Sequence, residues 1–203
     1  MSPPPLILAS ISLSRRKLLA NAGIKFEVVP SGVDEDEVKR SLAAQRSTPQ
    51  SVAETLAELK ALRVSARHGE AMVIGADQTL ACNGRLFDKP PTVEAARKQL
   101  MFLRGQTHEL FSSVVVARGG VRIWHWNERA RLTMRAFTEP FLDNYLVHAG
   151  DTVTTSVGAY RLEDYGAHLF TRVDGDYFTI LGLPLLPLLT FLNGHGVGLE
   201  QAA

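Results

Sequence analysis

Leu6-Ile7-Leu8-Ala9-Ser10-Ile11-Ser12-Leu13-Ser14-Arg15-Arg16-Lys17 passes from an apolar run, through three alternate serines, to three consecutive cations. Leu6 to Ala9 has the length and composition of a buried strand, and Ser14 to Ala22 reads as a helix stopped by Gly23. A strand feeding a helix in this way points to a layered α/β architecture. The junction carries the wrong charge for a helix start. The amide end of a helix is partly positive, so Arg15, Arg16 and Lys17 are each disfavoured there by up to about 1 kcal/mol unless an anion is present. Two readings stand. The cations are solvated, or the serine hydroxyls, backbone amides and guanidinium groups receive a polyanion such as a nucleotide triphosphate.

Working outward, Phe26 to Pro30 reads as a second strand. Thr48-Pro49 opens a helix on which Val52, Leu56, Leu59 and Arg63 trace one face. Ala71 to Ala76 is an apolar strand, and Asn83-Gly84 is a strong hairpin signal between Leu80-Ala81-Cys82 and Arg85-Leu86-Phe87. Thr92 and Thr138 cap two further helices. Phe111 to Ala117 and Val121 to Met134 form a long hairpin across Gly119-Gly120. His168 to Val173 and Tyr177 to Leu181 are expected to flank a turn at Asp174-Gly175, and Leu183 to Leu192 closes the chain as an apolar helix. Pro187 is expected to distort that helix. Strands and helices alternate in the first half and hairpins dominate the second, which predicts an α/β class with a mixed sheet.

The chain has 203 residues and 45% hydrophobic content, enough for one sizeable core, and 1–203 is expected to be a single domain. Twenty-two basic residues against 21 acidic ones leave a net charge of +1, which argues against a broad basic face for a nucleic acid polymer. Any anion site must be local. Cys82 is the sole cysteine, so an intramolecular disulfide and a cysteine-based zinc site are excluded, and a reducing cytoplasm suits it. Leu6 to Ala9 is too short for a signal peptide and no stretch reaches membrane length, so a soluble intracellular protein is expected.

Several side chains carry potential chemistry. Asp77, expected at the carboxyl end of the Ala71 to Ala76 strand, stands where open α/β sheets place ligands; it is a general base, a metal ligand, or simply a turn cap. Asp34-Glu35-Asp36-Glu37 is either a solvated acidic run or a source of carboxylates for a hard cation. Lys60, four residues after Leu56, either reaches a pocket or snorkels to solvent. Lys89 is stiffened by Pro90-Pro91, and His108 is equally a packing residue or a catalyst. Phosphate-loop, serine-elbow and zinc-protease motifs are absent. Carboxylates, lysines and an arginine are the set suited to metal-assisted attack on phosphorus.

Read in order, Leu8-Ala9-Ser10-Ile11-Ser12-Leu13-Ser14-Arg15-Arg16 with Leu18-Leu19, Val33-Asp34-Glu35, Lys60-Ala61, Ile74-Gly75-Ala76-Asp77-Gln78, Lys89-Pro90, Leu103-Arg104-Gly105-Gln106-Thr107-His108 and Gly182-Leu183-Pro184-Leu185 resemble the Maf family of nucleoside triphosphate pyrophosphatases. The resemblance runs nearly end to end. It implies an elongated mixed β-sheet with flanking helices and a central cleft, similar to Ham1 and inosine triphosphatase proteins, commonly assembled as a homodimer. It also implies cleavage of a nucleotide between its α and β phosphates, with a divalent cation (Mg, Mn or Co). Carried over residue by residue, Asp77 is the proton acceptor, Ser10, Ser12, Ser14 and Arg15 bind substrate, Glu35 and Asp77 hold metal, and Lys60 and Lys89 neutralise developing charge. Gln78 and Glu163, within Arg161-Leu162-Glu163-Asp164-Tyr165-Gly166, resemble the subgroup acting on 7-methyl-GTP. The chain departs from that subgroup at Ser14, where the subgroup has a tryptophan. The family name is also associated with septum formation, which implies a nucleotide-responsive regulator as an alternative role.

Overall fold

The computed structural model describes residues 4–198, so Pro3 of the proline stretch lies outside the described residues. In chain order the elements are β1 (Leu6–Leu8), α1 (Leu13–Asn21), β2 (Glu27–Val28), α2 (Glu35–Ala44), α3 (Pro49–Ser65), β3 (Met72–Cys82), β4 (Arg85–Phe87) and α4 (Val93–Leu103). They continue with β5 (Thr107–Arg118), β6 (Val121–Met134), α5 (Glu139–Ala149), β7 (Phe170–Asp174), α6 (Tyr177–Ile180) and α7 (Leu185–Asn193). Two short 3-10 turns, Gly150–Thr154 and Tyr165–Leu169, fill the irregular stretch between α5 and β7. The strands form one mixed seven-stranded sheet in the order β2-β1-β3-β5-β6-β7, with β4 paired to β3. The α/β class with a mixed sheet and helices is as expected. No helix among the described residues is long and apolar enough to cross a membrane.

Two compact units can be distinguished. The first contains the residues up to Asp77, Ser112–Glu128 and those from Gly182 on. Here β1 runs parallel to β2 and β3, with Leu6, Ile7 and Leu8 opposite Met72, Val73 and Ile74. β1 and the Met72 to Asp77 stretch of β3 are buried throughout, the pattern of parallel strands covered on both faces, whereas β2 at the sheet edge is not. Helix α3, started by Thr48 Oγ1 accepting from Ser51 N (3.1 Å) with Pro49 behind it, lies against this sheet. Its buried face is Val52, Ala53, Leu56, Ala57, Lys60, Ala61, Val64 and Ser65, which differs from the expected face. Leu59 and Arg63 point outward. The reason is contact at Gly75: a Cβ there would collide with Ala57 O and stand 2.6 Å from Ala61 N. Only small residues fit so close an approach, so Ala57 and Ala61 pack with Val115 and Ala117 while larger side chains turn away.

The second unit holds Gln78–Phe111 and Arg129–Leu181. Asn83 and Gly84 both have positive φ (51° and 76°), the two-residue hairpin turn expected between β3 and β4. The core gathers Leu80, Leu100, Leu110, Leu132, Met134, Leu142 and their neighbours. Within it His108 is fully buried, its Nε2 2.7 Å from Tyr160 Oη, while its Nδ1 has no hydrogen-bond partner. Burial drives its pKa down to about 4, so the packing reading of this histidine describes its surroundings.

Three expectations are corrected, and one helix start was not anticipated. β3 runs unbroken through Asp77, so that residue lies within a strand and not at its carboxyl end; sheet pairing overrides the polar Asp77-Gln78-Thr79 interruption. The acidic run starts helix α2, with Asp34 Oδ1 accepting from Glu37 N (3.0 Å) and acidic residues filling the positive first turn. Tyr177–Ile180 is helical and not a strand, because Asp176 caps it by accepting from Thr179 N (2.7 Å). Pro187 falls in the first turn of α7, where a missing N–H costs nothing, so it does not distort the helix.

Gly75→Ala is expected to lower stability by about 1–3 kcal/mol through overpacking of α3 on β3, read as a lower denaturant midpoint. His108 makes a second prediction. Its folded pKa is depressed relative to the unfolded chain, so between roughly pH 6.5 and 4 the unfolded state binds the extra proton and stability falls as pH falls, by up to about 3 kcal/mol. Urea unfolding across that window should show a shallower decline for His108→Gln; an identical slope would remove His108 as its source.

Candidate active site

Side chains two apart on a strand share a face, so Asp77 projects to the side that Gly75 presents to α3. That helix carries Lys60 on its buried stripe. The Lys60 Nζ lies 2.6 Å from Asp77 Oδ1 and 2.6 Å from Glu35 Oε1. Glu35 arrives as the first residue of α2, whose start is fixed by the Asp34 cap. The Lys60 and Asp77 side chains are 6% and 8% exposed and that of Glu35 is 44% exposed, so the cluster is closed at one end and open to solvent at the other.

Arg15 supplies the second cation. It is buried in α1, where its Nε donates to Gly182 O (2.7 Å) and its Nη1 to Ala76 O (2.9 Å) and Ser10 Oγ (3.4 Å). Burial pulls its guanidinium below the usual arginine pKa, while the charges of Asp77 and Glu35 act in the opposite direction. The unfavourable helix start is thus partly compensated by carboxylates and carbonyls of the chain itself. Arg16 and Lys17 are exposed, and for them the solvated reading holds. Ser10 Oγ accepts from Ser12 N (3.2 Å), and Ser12 Oγ caps α1 at Arg15 N (3.5 Å). Each hydroxyl has an O–H that can be offered to an anion. Ser14 is half-buried in the first turn of α1.

Ser10, Arg15, Glu35, Lys60 and Asp77 are therefore linked, directly or through Ala76, in the first unit. Two carboxylates converging on one cation are a donor set that hard divalent ions accept, completed by substrate oxygens and water. Among the described residues no group of three or more His, Cys, Asp or Glu side chains gathers, so the protein alone offers only part of a coordination shell. The pair fits an ion shared with a phosphate. Sequence reading did not anticipate that Gly75 sets the Lys60 to Asp77 contact, nor that Gly182 O anchors Arg15; the glycine in the strand was the available signal.

The remaining candidates belong to the second unit. Gln78 Nε2 donates to Thr179 O (3.0 Å) and Ile180 O (3.1 Å), tying β3 to α6. Lys89 is exposed between β4 and α4. Glu163 is exposed in a tight loop, since a Cβ on Gly166 would overlap Arg161 O.

Comparison with known proteins adds a second, independent line. A nucleoside triphosphate pyrophosphatase of Paramagnetospirillum magneticum is 57% identical over 190 residues, 94% of this chain and 98% of that protein. Proteins of the same name from Granulibacter bethesdensis (52% over 190 residues, 94% of this chain and 96% of theirs) and Caulobacter vibrioides (50% over 196, 97% and 98%) are similar throughout. Among solved structures, a HAM1 protein from Coxiella burnetii covers 94% of this chain and 99% of its own at 13% identity and a TM-score of 0.49. Residues 5–195 match the family described as Maf-like protein, and the chain belongs to that family.

Proposed function

We propose that the protein is a nucleoside triphosphate pyrophosphatase that cleaves the α-β phosphate bond, releasing a nucleoside monophosphate and pyrophosphate. The observation that carries this reading is the Lys60 ammonium held between Asp77 and Glu35 beside a buried arginine. Names of relatives about half identical along nearly their whole length support the same activity. In the reaction, a water oxygen bonds to phosphorus, the bridging P–O bond breaks, and pyrophosphate leaves with the electron pair. Asp77 accepts the proton of the attacking water. Arg15, Ser10, Ser12 and Ser14 hold phosphate oxygens, and Lys60 and Lys89 offset charge accumulating on the leaving group. Glu35 and Asp77 would hold a divalent cation, Mg, Mn or Co. When bound, such an ion polarises phosphate oxygens and acidifies water.

Glu163 is read as the residue that chooses among bases, because a carboxylate accepts the N1 and N2 hydrogens of guanine. It also suits the positive charge of 7-methylguanine, which makes 7-methyl-GTP the alternative substrate. Ser14 weighs against it, since a serine offers no ring for cation–π stacking. Cys82, a buried free thiol, suits a reducing cytoplasm. A homodimer is the assembly that the family resemblance implies.

Asp77→Asn is expected to lower pyrophosphate release by roughly 10²–10⁴-fold while cooperative unfolding persists, because Glu35 continues to partner Lys60. Turnover is measured across the ordinary triphosphates and 7-methyl-GTP with each metal; nucleotide binding without any pyrophosphate release would instead favour a nucleotide-responsive regulator of septum formation. In the same panel Glu163→Ala should change the ratio of kcat/KM between bases more than the maximal rate. An equal loss on every nucleotide would remove Glu163 from base choice.

A further inference from the structure

Asp77 Oδ1 and Glu35 Oε1 each lie 2.6 Å from the Lys60 Nζ, so one ammonium fills the point at which the two carboxylates converge. These are the same two side chains that the reaction assigns to a divalent ion. The other buried cation facing them, Arg15, is tied to Gly182 O, Ala76 O and Ser10 Oγ, and a planar guanidinium held on several sides is poorly placed to move. Lysine differs. Its charge is a point at the end of a flexible four-carbon stem, able to change partners while the stem stays packed on the apolar stripe of α3.

We infer that Lys60 is a resident counter-cation: it occupies the metal position in the nucleotide-free protein, and a divalent ion enters only as the ammonium swings from Asp77 and Glu35 to the phosphate chain. This rests on the reading of the site given under Proposed function and adds its regulation. Two cations, Lys60 and Arg15, face two carboxylates, Asp77 and Glu35, so the cluster is matched in number of charged side chains. An ion arriving alone would face an ammonium on the same carboxylates, and at the buried Asp77 end solvent screens little. A triphosphate removes the conflict by giving the displaced ammonium an anion of its own. Metal and nucleotide are therefore positively coupled, and by linkage each tightens the other. The free protein is protected from binding divalent ions unproductively, and Lys60 reaches the leaving group only as the metal position fills.

The test uses Mn²⁺ alone as probe, with bound ion counted from loss of the free-ion EPR signal in nucleotide-free protein. Lys60→Met and Lys60→Gln should bind Mn²⁺ about tenfold or more tighter than wild type. Lys60→Arg retains a resident cation and should bind as weakly as wild type. Adding Glu35→Gln to Lys60→Met should abolish the gain. If neither neutral variant binds more tightly while Glu35→Gln weakens binding, competition by Lys60 is overturned and the metal position stands. If Glu35→Gln has no effect in any background, the metal position itself is overturned. Lys60→Gln keeps a hydrogen-bond donor toward the carboxylates and carries the test should Lys60→Met fail to fold, which circular dichroism reports.

Discussion

Helix α3 rests on strand β3 at backbone distance because residue 75 has no side chain, and the candidate site descends from that contact. The glycine admits Ala57 O and the Ala61 amide to the sheet surface, and small neighbours at Val115 and Ala117 complete the seam. The close approach brings Lys60 over Asp77, two residues along the same strand face. A helix held off by even a methyl group would lift the ammonium from its carboxylate. Ionic chemistry here is thus set by a packing constraint with no charge in it.

Taking Lys60 and Asp77 out of water is costly for each alone, and the pair is tolerable because opposite charges meet at 2.6 Å with Glu35 as a second partner. Such an arrangement contributes little to net stability; its value is position. Arg15 is constrained by different means, through the carbonyls of Ala76 and Gly182. One cation is therefore fastened to backbone and the other to side chains. That division separates a cation held by main-chain carbonyls from one held by carboxylate side chains, which is the basis of the different roles proposed for them.

Much of this was legible where local chemistry decides. The β1-to-α1 passage, the Asn83-Gly84 turn and the threonine caps at Thr92 and Thr138 depend on residues close in sequence, and they fold as read. Departures arise mostly where neighbours across space prevail, and once at a local cap. Asp77-Gln78-Thr79 looks like a strand end, yet sheet pairing carries β3 to Cys82. Tyr177-Phe178-Thr179-Ile180 has strand composition, but the Asp176 cap turns it into a helix. The stripe on α3 keeps Val52 and Leu56 of the expected face but continues through Ala57, Lys60, Ala61 and Val64, not Leu59 and Arg63. Among site residues, Arg15, Asp77, Glu35 and Lys60 stand out by residue type and position, and their roles follow from the resemblance; their mutual contacts depend on Gly75 and Gly182 and could not be read from spacing.

Arg15 and Gly182 are separated by 167 positions along the chain. During synthesis at about 5–20 residues per second, the arginine leaves the ribosome roughly ten to thirty seconds before the carbonyl that receives its Nε. For that interval α1 lacks one of the acceptors that its guanidinium has in the finished structure. The nascent chain consequently completes the surroundings of Arg15 only after the segment holding Gly182 has emerged. Seating of the guanidinium is therefore a late event, timed by the arrival of the segment that leads into the last helix.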